Sequence, residues 1–127
     1  MNVPENLRYT ATHEWVRVEP DGTLAVGITD FAQDNLGELV YVETPDAGRS
    51  LKGGESCAVV ESVKAAADVY APVAGEVVAR NAALADAPSE VNKDCYGAWL
   101  FKIRPAAGVK LDALMDAAAY RKAFGIA

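Results

Sequence analysis

At 127 residues, half of them hydrophobic and a quarter charged, the chain has ordinary globular composition and can bury a core without metal or disulfide staples. A formal net charge of −6, with Lys and Arg scattered singly, excludes the basic footprint that a nucleic-acid backbone requires. Two cysteines, Cys57 and Cys95, without C-x-x-C spacing, and the single His13 are too few for a structural zinc site and read as free thiols of a reducing compartment plus one histidine.

The start, MNVPENLRYT, has neither a basic segment with an apolar run nor an Arg- and Ser-rich presequence. No apolar run approaches the ~20 residues that span a bilayer. The expectation is a soluble, cytoplasmic monomer, although a processed organellar protein would read the same way. Next come two alternating, β-branched runs, Glu14 to Glu19 and Thr23 to Ile28, around Pro20-Asp21-Gly22, which is a hairpin signature. Asp30 then precedes an apolar-periodic stretch closed by Gly37. Asp30 as N-cap, Gln33 three residues on and Gly37 at the end predict a short helix over about 30–36.

From Gly37 to Ile103 the pattern is of short strands: Leu39 to Glu43, Ser56 to Val63, Val69 to Val73, Glu76 to Arg80 and Trp99 to Ile103. Pro45, Gly48, Gly53-Gly54, Pro72 and Gly75 punctuate them, which predicts a mostly β sandwich or barrel rather than a parallel sheet. Pro88 near the front of 86–92 predicts one helical turn there. Leu111, Leu114, Met115 and Ala118 recur at helical spacing, so the chain is expected to close on an amphipathic helix packed on the sheet. A faint repeat joins Gly37-Glu38-Leu39-Val40 to Gly75-Glu76-Val77-Val78, and the same offset carries Cys57 onto Cys95. Two similar halves are implied.

The stretch ESVKAAADVYAPVAGEV, Glu61 to Val77, has two local readings. The run Ala65-Ala66-Ala67 favours helix, whereas Val59-Val60, Val63 and Val69-Tyr70 favour a pleated backbone and Pro72 with Gly75 would stop a helix. The balance favours strand, turn, strand with Lys64 and Ala65 at the bend. Gly53 and Gly75, equally spaced about Lys64, would then mark the far ends of the two strands. Such a tip leaves Lys64 exposed among small neighbours and open to a modifying enzyme.

The segments HEWVRV at 13–18, GITDFAQDNLGELVYVETPDAG at 27–48, ESVKAAADVYAPVAGEVVARN at 61–81 and SEVNKDCYGAWLFKI at 89–103 together resemble the H proteins of the glycine cleavage system. The resemblance covers most of the chain, in order. It implies a single lipoyl-carrier domain over 1–127 with a lipoyl/biotinyl-type barrel-sandwich hybrid of short antiparallel strands. Its core would lie at about 24–104, with a C-terminal helical extension at about 108–124.

It also implies that Lys64 carries lipoic acid in an amide that removes the lysine charge. The carrier, itself not an enzyme, would take an aminomethyl group of glycine from glycine decarboxylase (P protein) to the aminomethyltransferase (T protein). Dihydrolipoyl dehydrogenase (L protein) would reoxidise the arm, and a lipoylating enzyme would install it. Glu14 and Asp68, with Thr12 beside them, would line the cleft where the amine-bearing arm rests. Two solvated surface acids is the competing reading of that pair. Glu61 would help the lipoylating enzyme recognise the hairpin, or would simply be an acid on the outer face of a strand.

His13 has no nucleophile motif around it and reads as structural or surface rather than acid–base. Trp15 and Trp99 read as core or rim packing. Three departures stand out: Ala67 where relatives often have Ser, Thr12 where Ser is common, and a CYGAWL segment one residue shorter than the usual glycine-rich form.

Three other classes fit less well. A biotin carrier typically flanks its lysine with methionines, whereas Val63 and Ala65 stand here. A catalytic lysine would need burial or neighbouring cations, not a small-residue turn near Asp68. A lipoyl domain of a 2-oxoacid dehydrogenase is usually shorter and followed by a flexible linker. A protein that relays lipoyl groups to other enzymes is the nearest alternative function.

Overall fold

Every strand pairs antiparallel with its neighbours, as short alternating runs joined by tight turns require. The computed structural model describes residues 1–127. In chain order the elements are β1 (Arg8–Tyr9), β2 (Glu14–Val18), β3 (Leu24–Ile28), α1 (Asp30–Leu36), β4 (Leu39–Glu43), β5 (Ser50–Leu51), β6 (Ser56–Ser62) and β7 (Ala66–Tyr70). They continue with β8 (Gly75–Arg80), α2 (Ala83–Asp86), α3 (Glu90–Lys93), β9 (Phe101–Pro105), a 3₁₀ turn (Leu111–Ala113) and α4 (Ala117–Phe124).

Six strands form one sheet in the order β1-β2-β3-β9-β8-β5, and β4-β6-β7 form the other. Val26, Ile28, Val77, Phe101 and Ile103 of the first sheet meet Val42, Ala58, Val60 and Val69 of the second in one apolar core. This is the mostly β barrel-sandwich that the resemblance implies. A second cluster, Tyr9, Trp15, Ala25, Ala117 and Tyr120, lies where α4 packs on the six-stranded sheet. Strand β3 is covered on both sides, so all five of its residues are buried.

The two copies of the repeat are β4 and β8. Each pairs with the strand that follows it in its own sheet, and the register shifts at the same point in both, between Leu39 and Tyr41 and between Val77 and Ala79. Cys57 and Cys95 do not share that equivalence. Cys57 sits in β6, whereas Cys95 lies in the turn after α3.

Several expectations are corrected by local detail. Thr29, not Asp30, caps α1: its Oγ1 accepts from Ala32 N at 3.2 Å, while Asp30 lies inside the helix and accepts from Gln33 Nε2. The closing helix is broken. Met115 is held extended by a two-way backbone bridge to Tyr9, Asp116 then caps α4, and Ala117 and Tyr120 rather than Ala118 face the core. Helical spacing in the sequence therefore overran a strand contact that only a distant partner supplies.

The turn expected over 86–92 is two short helices, α2 and α3. Strand β7 begins at Ala66 and ends at Tyr70, short of Val73, and β9 starts at Phe101, beyond Trp99. The two-residue strands β1 and β5 carry too little pattern to be read from sequence. No helix is long and apolar enough to cross a membrane.

Candidate functional site

The hairpin of β6 and β7 turns on two residues, Val63 and Lys64, so the bend lies one residue earlier than the expected Lys64 and Ala65. Ser62 N donates to Ala65 O at 2.7 Å, and Ala65 N donates back to Ser62 Oγ at 3.2 Å. Neither central residue has positive φ, so this serine ties a turn that glycine or asparagine more often makes. At the far end, Gly75 pairs with Leu51 and Gly53 lies against Val73 and Ala74.

Lys64 is exposed and forms no ion pair. Its stem passes over Gly37: a Cβ there would lie 3.6 Å from Lys64 Cε. Gly37, with φ +84°, ends α1 and donates its N–H to Gln33 O. The lysine thus lies at the C-terminal end of α1.

Leu36, Asn35 and Ala32 of α1 form one wall of a cleft of about 170 Å³. Val60, Ala67, Asp68 and Val69 of the hairpin line it too, and Thr12, His13, Glu14 and Ile28 complete it. The fold therefore brings Thr12, Glu14 and Asp68 to one place, with Ala67 on β7 across from Val60, and the Lys64 stem passes over Gly37, the residue after the cleft-lining Leu36. Glu61 stands apart on β6, paired with Tyr41 of β4 and Ala66 of β7 and outside the cleft.

Glu14 is not a surface acid. It is 1% exposed, and its carboxylate accepts from the hydroxyls of Thr10 and Thr12 through Oε1 and from Tyr70 N at 3.2 Å through Oε2. Burial raises its pKa above the ordinary value, and the Thr10, Thr12 and Tyr70 hydrogen bonds oppose that rise. Each carboxylate oxygen can accept twice, so Oε2 retains capacity for one further donor. Asp68 is exposed and accepts from Ser56 Oγ at 3.1 Å.

Thr10 and the Tyr70 amide were missed in the sequence. Thr10 and Glu14 face each other across the turn at 11–13, where Thr10 N donates to Glu14 O and His13 N to Thr10 O, a closure that no pattern of residue types announces; the Tyr70 amide is backbone and leaves no trace either.

His13 is structural, as expected. It has φ +71°, accepts or donates at Nδ1 with Tyr120 Oη at 2.7 Å, and stacks on Phe31 with ring centroids 4.7 Å apart. Trp15 is fully buried, donating Nε1–H to Cys95 O at 2.9 Å, and Trp99 is half-buried under the Lys102 ammonium. Cys57 and Cys95 are free and buried, and burial pushes each thiol up to about 12. Neither is a ready thiolate.

Residues 7–125 match the family model described as glycine cleavage H-protein. The chain belongs to the glycine cleavage H-protein family. This family member is 61% identical over 122 residues to the glycine cleavage system H protein of Thiobacillus denitrificans, covering 96% of this chain and 95% of that one. It is 58% identical over 122 residues to the counterpart from Nitrosospira multiformis, with the same coverage. The crystal structure of a glycine cleavage system H protein from Mycobacterium marinum superposes with a TM-score of 0.88 at 40% identity, spanning 97% of this chain and 99% of that one.

Proposed function

We propose that this H-protein family member is the lipoyl carrier of a glycine cleavage system, one domain over 1–127, with lipoic acid in amide linkage to Lys64. The observation that carries the reading is the placement of Lys64: an unpaired lysine on a serine-tied two-residue turn, its stem over Gly37, the residue after Leu36 in the wall of a cleft that holds a buried carboxylate. The residues present fit the group. The turn leaves Nζ free to be acylated, the stem already runs toward α1, and Ile28, Leu36, Val60 and Val69 offer apolar walls.

Bound there, the lipoyl group supplies a cyclic disulfide that accepts an aminomethyl group and a dithiol that is reoxidised. The chain's own residues hold and shield. Glu14 and Asp68 supply negative charge for a protonated amine, with Glu14 Oε2 as the direct acceptor, and the Thr10 and Thr12 hydroxyls keep the Glu14 carboxylate in place. The apolar walls keep water from the carried group. Ala67 also lines this cleft and brings no hydroxyl to it.

The role is carriage rather than catalysis, between glycine decarboxylase, the aminomethyltransferase and dihydrolipoyl dehydrogenase, after loading by a lipoylating enzyme. Intact-mass analysis after co-expression with a lipoate-attaching enzyme tests the reading. The wild type is expected to gain one lipoyl mass and Lys64→Arg none; an unmodified wild type, or a modified variant, refutes it. Reconstituting glycine-dependent carbon dioxide release with the partner enzymes then separates this carrier from a lipoyl relay.

A further inference from the structure

Val63 is 92% exposed, far above any other large apolar side chain of the molecule. It occupies a central position of the two-residue turn beside Lys64. Local physics gives no reason for it to be there. Turn positions favour Gly, Asn, Asp and Pro, a β-branched residue is stiff and prefers pleated backbone, and an exposed valine gains nothing from burial in this fold. The turn does not depend on it either, because Ser62 and Ala65 close the loop through backbone and hydroxyl.

Its surroundings are equally specific. Tyr41, 45% exposed, stands on the edge strand β4 directly across from Glu61, two residues before Val63. Val40, the residue displaced by the register shift, is exposed next to it. Glu61, three residues before Lys64, and Glu38, next to the Gly37 over which the Lys64 stem passes, are in no ion pair, so two free carboxylates accompany the lysine.

We infer that Val63, supported by Tyr41, is the apolar anchor by which the enzyme that acylates Lys64 seats the hairpin tip, in an apolar pocket flanked by basic side chains that face Glu38 and Glu61. The inference rests on the reading of Lys64 as the lipoylated residue. Geometry selects this occupant over enzymes that work on a finished arm. The bond made by the acylating enzyme forms at Nζ, so its active site must enclose the lysine stem, and adjacent Cα atoms are only about 3.8 Å apart. An enzyme acting on the far end of the arm has no need to touch the turn.

In that step the unprotonated Nζ attacks the acyl carbon of an acyl-adenylate. The C–N bond forms, the acyl C–O bond breaks, adenylate leaves with the electron pair, and Nζ loses a proton to a base. Val63 takes no part in this chemistry. It sets how the nucleophile is delivered.

The test is the rate of ATP-dependent lipoate attachment, read by intact mass, for wild type, Val63→Thr and Val63→Asp. Thermal melts serve as a folding check, and a parallel run acylates Lys64 chemically with a small activated ester. Val63→Thr, of nearly the same shape, is expected to lower kcat/KM about five-fold and Val63→Asp at least about fifty-fold, mainly through KM, as loss of an apolar pocket contact does. Melting and chemical acylation should match the wild type. Enzymatic attachment to Val63→Asp within about two-fold of wild type overturns the inference. So does an equal slowing of the chemical reaction, which would mean that the turn itself had changed. A wild type that the enzyme leaves unmodified overturns the lipoylation reading, and this inference with it.

Discussion

His13 shows how one residue can be read through its neighbours. Thr29 is fully buried and its Oγ1 accepts from Ala32 N, so its own proton must go to Tyr120 Oη, the acceptor at 2.8 Å. The Tyr120 proton then goes to His13 Nδ1, and His13 is held as the neutral Nε2–H tautomer. Protonation at Nδ1 would leave three hydroxyl and imidazole donors with too few acceptors. Burial acts in the same direction and lowers the His13 pKa below its ordinary 6.5. The unfolded chain therefore binds a proton near pH 6.5 that the folded chain refuses. The contribution of His13 to stability is full above that pH, falls as pH drops through the window beneath it, and levels off once the folded imidazole protonates. His13→Asn keeps a residue tolerant of positive φ and has nothing to titrate. Denaturant melts at pH 7.5, 6.5 and 5.5 should show stability falling more steeply with acid in the wild type than in the variant, and ¹⁵N shifts should report Nε2 protonated at neutral pH.

At the scale of elements, the pairing of β2 with β3 depends on a missing side chain. Trp15 stands across from Gly27, and its indole covers the glycine so closely that an added Cβ would lie 2.5 Å from the ring. The same indole donates to Cys95 O, which ties the segment after α3 to the sheet. Gly27→Ala should therefore cost about 1–3 kcal/mol, through displacement of a buried ring that cannot yield without losing its hydrogen bond. A lowered urea midpoint with unchanged slope is the expected readout. Hairpin β6–β7 is different in kind. Its turn is stabilised by Ser62, and its exposed tip contributes to encounter rather than to the core.

For the whole molecule, the cleft depends on parts far apart in the chain. Thr12 and Glu14 precede β3, α1 supplies one wall, the hairpin another, and α4 holds His13 through Tyr120 and Phe124. Deleting residues 117–127 should lower Tm by roughly 10 °C, because burying Tyr120 with its neighbours contributes about 3 kcal/mol in a chain of this size. Chemical acylation of Lys64 should be unaffected, since the tip lies on the other sheet. Loss of cooperative melting together with slowed acylation would contradict this division.

The hairpin at Lys64, the strands with clear alternation and the mostly β character were legible because period-two patterning, glycine and proline act over a few residues. The GELV and GEVV repeat even located two strands with matching bulges. Other features needed the assembled molecule. Thr29 displaced Asp30 as the helix cap because Tyr120, far along the chain, satisfies its hydroxyl. Met115 left the helical stripe because Tyr9 offers it a backbone pair. Glu14, indistinguishable in sequence from a solvated acid, became a buried carboxylate because three donors from two segments converge on it. By itself the sequence determined which backbone each short stretch prefers and which lysine stands on a turn. Only tertiary structure decided which polar groups are desolvated, since burial and its compensation by hydrogen bonds are properties of partners brought together from distant segments.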